Sequence, residues 1–238
     1  RQNGLYNADD ADFDDFVERQ VNAVKAGAIS PRELARQDGR VFIYQCVALP
    51  SEERMITFYE ITEQKKVEEQ IRHLANHDPL TGLPSLRLAR EIMATAITMS
   101  KRYKWRFSVM YVDLDGFKEV NDAHGHSFGD NLLKKVSLRL GGCLRESDTV
   151  ARIGGDEFLV IQNELHSESD AARVASNIIE LLSRPFILAG VSTSIGASIG
   201  IAIYPEHGTT ATEIIKIADQ TMYAVKKSGK NDFRFAGQ

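Results

Sequence analysis

The hydrophobic and polar positions of the last two thirds of the chain follow strand and helix periods in turn. Strands are predicted at roughly 106–114, 149–153, 157–162, 194–204 and 231–235, and helices at roughly 85–103, 129–144, 169–183 and 211–228. Alternation of this kind predicts an α+β fold in which helices pack on a sheet.

A long uncharged run, 185–205, could be mistaken for a membrane span. Its apolar residues recur mostly in even steps, at Val191, Ile195, Ile199, Ile201 and Ile203. Even spacing is typical of strands, so the run predicts two strands of a buried sheet. We therefore expect no membrane segment in this chain.

The first third of the chain predicts a smaller α+β segment. Five apolar residues follow helical spacing: Phe13, Phe16, Val17, Val21 and Val24. The run Ser30-Pro31-Arg32-Glu33 has the form of a capping box with proline at the first helical position, which predicts that a helix begins there. Two strands are predicted to follow, at 41–47 and 55–59.

From Thr62 to about Asn76 the chain is polar and helical. Val67, Ile71 and Leu74 follow one another at four- and three-residue steps, which predicts an amphipathic helix. Both pairing with its copy in a second subunit and packing on its own domain fit a helix of this length. The predicted division is a segment 1–61, a linker helix 62–77 and a larger domain 78–238.

Composition narrows the functional classes. With 238 residues, 43% of them hydrophobic and 26% charged, the chain has the make-up of a globular protein with a buried core. Its net charge of -4 gives no reason to expect nucleic-acid binding. Cys46 and Cys143 lack metal-ligand spacing, and no signal peptide follows Arg1, so we expect a cytoplasmic location; an upstream membrane anchor stays open.

Candidate chemistry begins with Arg152-Ile153-Gly154-Gly155-Asp156-Glu157-Phe158, which lies between two strand-like runs. Gly-Gly at this place predicts a tight hairpin turn with positive φ at both glycines. Such a turn lets an anion approach, and Asp156 and Glu157 offer oxygen ligands to a hard cation. Taken alone, the same stretch also fits a solvated acidic hairpin.

A second acidic group follows the predicted strand 107–112. Asp113 at the end of this strand, together with the Leu114 carbonyl, is placed to coordinate Mg²⁺ held on a phosphate chain. The next loop and short helix contain a cation for phosphate, Lys118, and two groups able to bind a purine edge, Asn121 and Asp130. The combination predicts a site for a nucleotide with its metal.

From Asp78 to about Phe235 the chain resembles the GGDEF-family diguanylate cyclases. The family's motifs occur in order: Asp78-Pro79-Leu80-Thr81-Gly82-Leu83-Pro84, the loop after Asp113, Gly154-Gly155-Asp156-Glu157-Phe158, and Ala218-Asp219-Gln220-Thr221-Met222-Tyr223 followed by Lys226 and Lys230. The resemblance implies a palm-like nucleotidyl cyclase fold with a ferredoxin-like core. It implies that two GTP molecules condense to cyclic di-GMP and two pyrophosphates at a homodimer interface.

The family's functional positions carry over residue by residue. Metal positions, for Mg²⁺ or Mn²⁺, match Asp113, Leu114, Asp156 and Glu157, and the catalytic positions match Asp156, which resembles the proton acceptor, and Glu157. Substrate positions match Phe117, Lys118, Asn121, His126, Asp130, Lys226 and Lys230. Within this set Asn121 and Asp130 resemble the guanine-binding pair, which also disfavours a related cyclase for another base.

Arg145-Glu146-Ser147-Asp148 resembles the family's Arg-x-x-Asp site, where many members bind their own product as an inhibitor. Arginine suits this role because its planar guanidinium can bind a phosphate or a guanine edge. The alternative is a salt bridge at a helix end. For the chain as a whole, the alternative to an enzyme is a catalytically silent module that binds GTP or cyclic di-GMP and controls a partner domain.

Two segments depart from a clear match. Ser85-Leu86 stands where the family usually has Asn-Arg, which puts the contacts of that segment in doubt. The first third resembles the C-terminal part of a PAS sensor domain more weakly, through Gly39-Arg40-Val41-Phe42 and Tyr59-Glu60-Ile61-Thr62-Glu63. This resemblance implies an abbreviated sensor ahead of the linker helix.

Overall fold

The computed structural model describes residues 29–50 and 53–237, together with Glu18, Val21, Asn22 and Lys25, which are helical. The other members of the first predicted helix, Phe13, Phe16, Val17 and Val24, lie outside the described residues. The chain divides into two compact units, residues 1–73 and 74–238, and each is described by itself.

The first unit contains a three-stranded antiparallel sheet in the order β1 (Ile29–Ala35), β2 (Val41–Ala48), β3 (Arg54–Glu60). The helix predicted to begin at Ser30 is wrong, because this segment forms β1. Glu33 pairs with Ile43 and Leu34 with Phe42, so strand pairing overrides the local capping pattern. Pro31 is tolerated because β1 pairs on one side only among the described strands and has an irregular register there.

The two strands predicted at 41–47 and 55–59 are confirmed as β2 and β3. Cys46 on β2 is buried, whereas β3 is exposed along its whole length, including Phe58 and Tyr59. Helix α1 (Thr62–Asn76) is confirmed as well, and its apolar residues Val67, Ile71 and Leu74 are at least half exposed. Among the described residues nothing covers this apolar stripe, and both packing on its own domain and pairing with a second copy remain predictions.

The second unit is an α+β fold with a mixed five-stranded sheet in the order β10-β9-β4-β6-β5. Its strands are β4 (Phe107–Asp115), β5 (Thr149–Gly154), β6 (Glu157–Gln162), β9 (Gly196–Tyr204) and β10 (Phe233–Phe235). Its helices are α2 (Leu86–Tyr103), α3 (Phe117–His124), α4 (His126–Gly142), α5 (Glu168–Ser183) and α6 (Ala211–Ser228). The predicted helices and central strands are confirmed within a few residues.

The uncharged run 185–205 differs from its prediction. It forms a separate two-stranded hairpin, β7 (Phe186–Leu188) with β8 (Val191–Thr193), and then one central strand, β9. The hairpin leaves Ile187 largely exposed, so only β9 belongs to the buried sheet. Among the described residues, no helix has both the length and the apolar character needed to cross a bilayer.

Strand β4 is the centre of the core, with antiparallel neighbours β6 and β9 on its two sides. Its side chains alternate between two buried clusters: Met110, Val112 and Leu114 pack with residues of α4 and α5, and Phe107, Val109 and Tyr111 pack with residues of α2 and α6. Period-two alternation puts Asp113 on the α2 and α6 side. This is why a lysine of α6 can reach it.

Candidate functional site

Three acidic residues lie in the region where β4 and β5 end and β6 begins, and we call Asp113, Asp156 and Glu157 the acidic strand end. Asp113 on β4 is the register partner of Glu157 on β6. The Leu114 N–H donates to the Asp156 carbonyl at 3.2 Å. Asp156 and Glu157 are half-buried. The sheet register alone thus brings together acids that are far apart in the sequence.

The hairpin turn lies one residue later than predicted. Gly154 is the last residue of β5 and pairs with Glu157, so the two residues between the strands are Gly155 and Asp156. Gly155 has φ of 51°, whereas Gly154 does not have a positive φ. A register shift between Arg152 and Gly154 accounts for the offset, because Ile153 is an extra residue in β5.

Asp113 is almost fully buried and forms an ion pair with Lys226 of α6, with 2.6 Å between Nζ and Oδ2. Burial raises the pKa of Asp113 to about 6; the hydrogen bond from Lys226 opposes this, and the charges of Asp156 and Glu157 add to it. The pKa of Lys226 is raised, since its bond to Asp113 and the neighbouring acids outweigh its own burial. The Lys226 ammonium group therefore balances the charge of the Asp113 carboxylate.

Asp115 was not singled out from the sequence, and it has a structural role next to the acidic strand end. Its carboxylate accepts hydrogen bonds from Ser198 Oγ, at 2.9 Å to each oxygen, and from the Asn231 N–H, also at 2.9 Å. The latter bond secures the loop after α6, where Lys230 and Asn231 both have positive φ. Lys230 is exposed at this loop.

The segment from Phe117 to Asp130, formed by α3 and the start of α4, is called the helical corner. Asn121 Oδ1 is buried there and has no hydrogen-bond partner among the described residues. A Cβ at Gly129 would overlap this oxygen and approach the Phe117 ring at 3.2 Å, so only glycine fits beside the amide. The corner therefore holds a buried acceptor that has no hydrogen-bond partner among the described residues.

The other predicted substrate residues occupy different environments. Lys118, His126 and Asp130 are exposed, and His126 and Asp130 lie one turn apart on α4. The Phe117 side chain is buried in the core, so only its backbone, in the first turn of α3, can face a ligand. Gly116 precedes this turn without a side-chain cap, which leaves the first N–H groups of α3 open to an anion.

Arg152 connects the hairpin to the Asp78 turn, a role that sequence reasoning missed. Its Nη1 lies 2.9 Å from both carboxylate oxygens of Asp78, and its Nη2 donates to the Gly155 carbonyl at 2.8 Å. Burial works to raise the pKa of Asp78, but hydrogen bonds from Thr81 and Arg152 outweigh it and lower the pKa. The signal in the sequence was an arginine two residues before Gly-Gly.

The departure at Ser85 has a local explanation. Ser85 is the N-cap of α2, where its hydroxyl accepts from the Leu88 N–H at 3.5 Å and donates to the Ala75 carbonyl at 3.1 Å. The Ser85 N–H donates to the Asn76 carbonyl at 2.7 Å. Serine thus serves both as a helix cap and as a tie to the end of α1.

Arg145 and Asp148 lie in the turn between α4 and β5. The Asp148 carboxylate accepts from the Arg145 N–H at 3.2 Å and from the Asn163 N–H at 3.1 Å. Arg145 is exposed. The ion pairs of the described residues include none between these two side chains, so the salt bridge considered as the alternative is not formed. The guanidinium is open to an incoming ligand.

Residues 75–232 match the family described as "Diguanylate cyclase, GGDEF domain". The chain belongs to the GGDEF family. Similar proteins include the cyclic di-GMP phosphodiesterase PdeR of Escherichia coli (strain K12), 42% identical over 174 residues, and the diguanylate cyclase TpbB of Pseudomonas aeruginosa (strain UCBPP-PA14), 41% identical over 167 residues.

These matches cover 73% and 70% of this chain but only 26% and 38% of the two relatives. The solved GGDEF domain of Pseudomonas aeruginosa TpbB (YfiN) is 40% identical with a TM-score of 0.66, covering 67% of this chain and 94% of that chain. The coiled coil and GGDEF domain of DgcB from Caulobacter crescentus, in complex with c-di-GMP, is 25% identical with a TM-score of 0.65, covering 74% and 93%. The fold predicted for this GGDEF domain is confirmed.

Proposed function

We propose that the GGDEF domain is a diguanylate cyclase that condenses two GTP molecules into cyclic di-GMP and two pyrophosphates. The observation that carries the proposal is the cross-strand pair of Asp113 and Glu157 beside the Asp156 turn, with Lys226 bonded to Asp113. Acids at a strand end with an adjacent lysine suit the transfer of a charged phosphoryl group. The diguanylate cyclases among the relatives support the same reaction.

Mg²⁺, or Mn²⁺, would be held by the acidic strand end and the Leu114 carbonyl. The donors fit a hard cation because all are oxygens, and buried Asp113 has a raised pKa that a cation would offset. The described residues contain no group of three or more His, Cys, Asp or Glu side chains arranged around one point, so substrate phosphates would supply the remaining ligands. When bound, the metal lowers the pKa of the attacking hydroxyl and offsets charge on pyrophosphate.

The chain's own residues position the reactants and move one proton. Asp156 accepts the proton of the 3′-hydroxyl of one GTP, whose oxygen bonds to the α-phosphorus of the other as the bond to pyrophosphate breaks. Lys226 leaves Asp113 and binds the phosphates of GTP instead. Lys118 and Lys230 add positive charge along the same triphosphate. The backbone of Phe117 at the first turn of α3 supplies N–H donors.

Guanine is the base that the helical corner favours. The unpartnered Oδ1 of Asn121 can accept from a ring N–H, and the Asp130 carboxylate can accept from a second donor of the same base edge. His126 lies one turn before Asp130 on α4 and would face the same base. Adenine offers no ring N–H on that edge, which favours GTP over ATP.

Each copy would hold one GTP, so turnover requires two domains that face each other in a homodimer. The exposed stripe of Val67, Ile71 and Leu74 on α1 supports pairing of this helix with its copy. In this proposal residues 1–61 are a partial PAS-like sensor, 62–77 the signalling helix and 78–238 the cyclase, acting in the cytoplasm.

Cyclic di-GMP would also bind at Arg145 and Asp148 and inhibit the enzyme. The exposed Arg145 guanidinium, which has no ion pair with Asp148, supports this assignment. Arg145→Ala should relieve inhibition by added product at least about 10-fold while initial rates without product stay unchanged. Inhibition that stays the same in the variant would remove this site from the proposal.

The test of the proposed reaction is to incubate the purified chain with GTP and Mg²⁺ and to quantify cyclic di-GMP and pyrophosphate by chromatography. We expect product, with a rate per subunit that rises with protein concentration until the dimer is saturated. Binding of GTP without product at any concentration would instead favour the silent module, which binds nucleotide and controls a partner domain. The PdeR relative, named as a phosphodiesterase, is the observation that favours this second candidate.

A further inference from the structure

The C-terminal end of α2 exposes a cluster of apolar side chains. Met99, Tyr103 and Trp105 are 42%, 47% and 44% exposed, although Met93 on the same helix is completely buried. Lys104 ends the helix with a left-handed conformation, φ 59°, which turns the chain so that Trp105 returns to Tyr103. We call residues 99–105 the aromatic-basic patch.

Three exposed cations are interleaved with these apolar residues: Lys101, Arg102 and Lys104. The ion pairs of the described part of the chain include none of the three, whereas the neighbouring Arg106 is paired with Glu206 at 2.7 Å. Glu164 is an acid that lines the same surface, beside Trp105. The patch is thus locally positive on a chain whose net charge is -4.

The rings of Tyr103 and Trp105 are stacked on each other, with centroids 4.9 Å apart and an angle of 26°. The Arg102 guanidinium lies 5.2 Å from the Tyr103 ring centre. One face of each ring is covered by the other ring. The edges of the two rings, with the Tyr hydroxyl and the Trp N–H, are therefore more accessible to a ligand than their faces. This geometry suits the headgroup region of a bilayer, where Trp and Tyr are enriched, better than the stacking of nucleic-acid bases.

Met99 and Trp105 also border a groove of about 350 Å³. Its floor contains Ile92, Ala96 and Phe107, and its polar members include Thr95, Ser100 and Glu164. An apolar groove beside exposed cations can take the upper part of an acyl chain while the cations contact lipid phosphate. Nucleic acid would instead require an extended basic track, which the overall negative charge does not support.

We propose that the aromatic-basic patch binds the surface of membranes that contain anionic phospholipids. The cations supply the attraction to negative headgroups, and Met99, Tyr103 and Trp105 enter the interface. Each cation near such a surface strengthens partitioning by roughly fivefold, so the three together contribute about 100-fold. The proposal is independent of the cyclase activity, since none of these residues belongs to the acidic strand end or the helical corner.

The test uses Trp105, which is the single tryptophan of the chain. The full chain is mixed with vesicles of phosphatidylcholine alone or of phosphatidylcholine with phosphatidylglycerol, and sedimentation is measured together with tryptophan emission. We expect co-sedimentation and a blue shift with the anionic vesicles only, and both should weaken at high salt because the attraction is screened. Sedimentation without a shift would place contact elsewhere and overturn the proposal.

A matched pair of variants separates this patch from general charge. The triple variant Lys101→Glu, Arg102→Glu, Lys104→Glu should reduce partitioning at least about 100-fold. The control Lys134→Glu, Lys135→Glu, Lys216→Glu changes net charge equally at other exposed sites and should bind vesicles much more strongly than the patch variant. Equal loss in both variants, or binding of a single-stranded oligonucleotide in place of vesicles, would show that the patch is not a lipid site.

Discussion

The acidic strand end and the helical corner are neighbours along the chain, yet their polar groups are satisfied in opposite ways. At the acidic strand end Asp113 is buried and already bonded to Lys226. At the helical corner Asn121 Oδ1 is buried and has no partner among the described residues. When a ligand binds, the acidic strand end must give up the bond between Lys226 and Asp113. The helical corner gains a hydrogen bond without losing one.

This difference separates chemistry from recognition. An exchange of Lys226 between Asp113 and a phosphate changes the charge around the reacting groups, so changes at the acidic strand end should act mainly on turnover. A new bond to Asn121 selects which base is held, so changes at the helical corner should act mainly on affinity and base choice.

Asp156→Ala should reduce cyclic di-GMP formation by roughly 10²–10⁴-fold, because it removes the proposed proton acceptor. GTP affinity, measured by isothermal titration, should change far less than turnover. Glu168→Ala, which removes an exposed acid at the start of α5, is the control and should keep parental rates. A variant that turns over normally would mean that the hairpin acid does not take part in the reaction.

Gly129→Ala should destabilise the domain by about 1–3 kcal/mol and weaken GTP binding, because the added Cβ overlaps Asn121 Oδ1. Gly141→Ala on the same helix is a matched control, since a Cβ there meets no atom within 4 Å. That control should be neutral or stabilise by up to about 1 kcal/mol. Equal denaturation midpoints for the two variants would contradict the close approach at Gly129.

Asn121→Ala should weaken GTP binding about 10-fold and leave the rate at saturation nearly unchanged, because one hydrogen bond to the base is lost. The preference for GTP over ATP should fall by a similar factor. The measurement is a comparison of KM and kcat for the parent and the variant. A fall in kcat alone would assign Asn121 to chemistry and would end the separation of the two regions.

Asp113→Asn should abolish turnover but raise stability at neutral pH. A buried acid whose pKa is raised to about 6 destabilises the fold when it is charged. Its favourable contribution is full below about pH 4 and is lost as pH rises through 6. Thermal midpoints without metal should therefore differ little near pH 4, and above pH 6 the variant should be more stable by roughly 1–2 kcal/mol. A difference in stability between the variant and the parent that stays constant from pH 4 to above pH 6 would contradict the raised pKa.

Much of the fold could be predicted because hydrophobic residues recur at regular spacing in its helices and strands. Strand β4 and the helices of the second unit are long, and each alternates or repeats cleanly enough to set its bounds within a few residues. Short elements were harder: the β7 and β8 hairpin shares its even spacing with a buried strand, and the capping pattern at Ser30 gave way to pairing with β2. Local sequence does not report which partner a strand finds.

Site residues that belong to a sequence motif could be predicted. Contacts between residues far apart in the sequence were harder to predict. Asp113 and Glu157 are register partners, with Asp156 in the adjoining turn, because strand register follows from the hydrophobic pattern. Contacts between Arg152 and Asp78, or between Asp115 and Asn231, join residues 74 and 116 positions apart and have no local signature. The one-residue offset of the Gly-Gly turn likewise depends on an extra residue that only the paired strands reveal.

The Arg152 residue links the end of α1 to the hairpin turn. Ser85 bonds to the carbonyl of Asn76, Pro84 accepts the Arg152 N–H, and the Arg152 guanidinium spans Asp78 and the Gly155 carbonyl. Every step from Asn76 to Gly155 in this series is either a hydrogen bond or a covalent neighbour. Torque applied at the end of α1 would therefore have a direct route to the hairpin turn that carries Asp156.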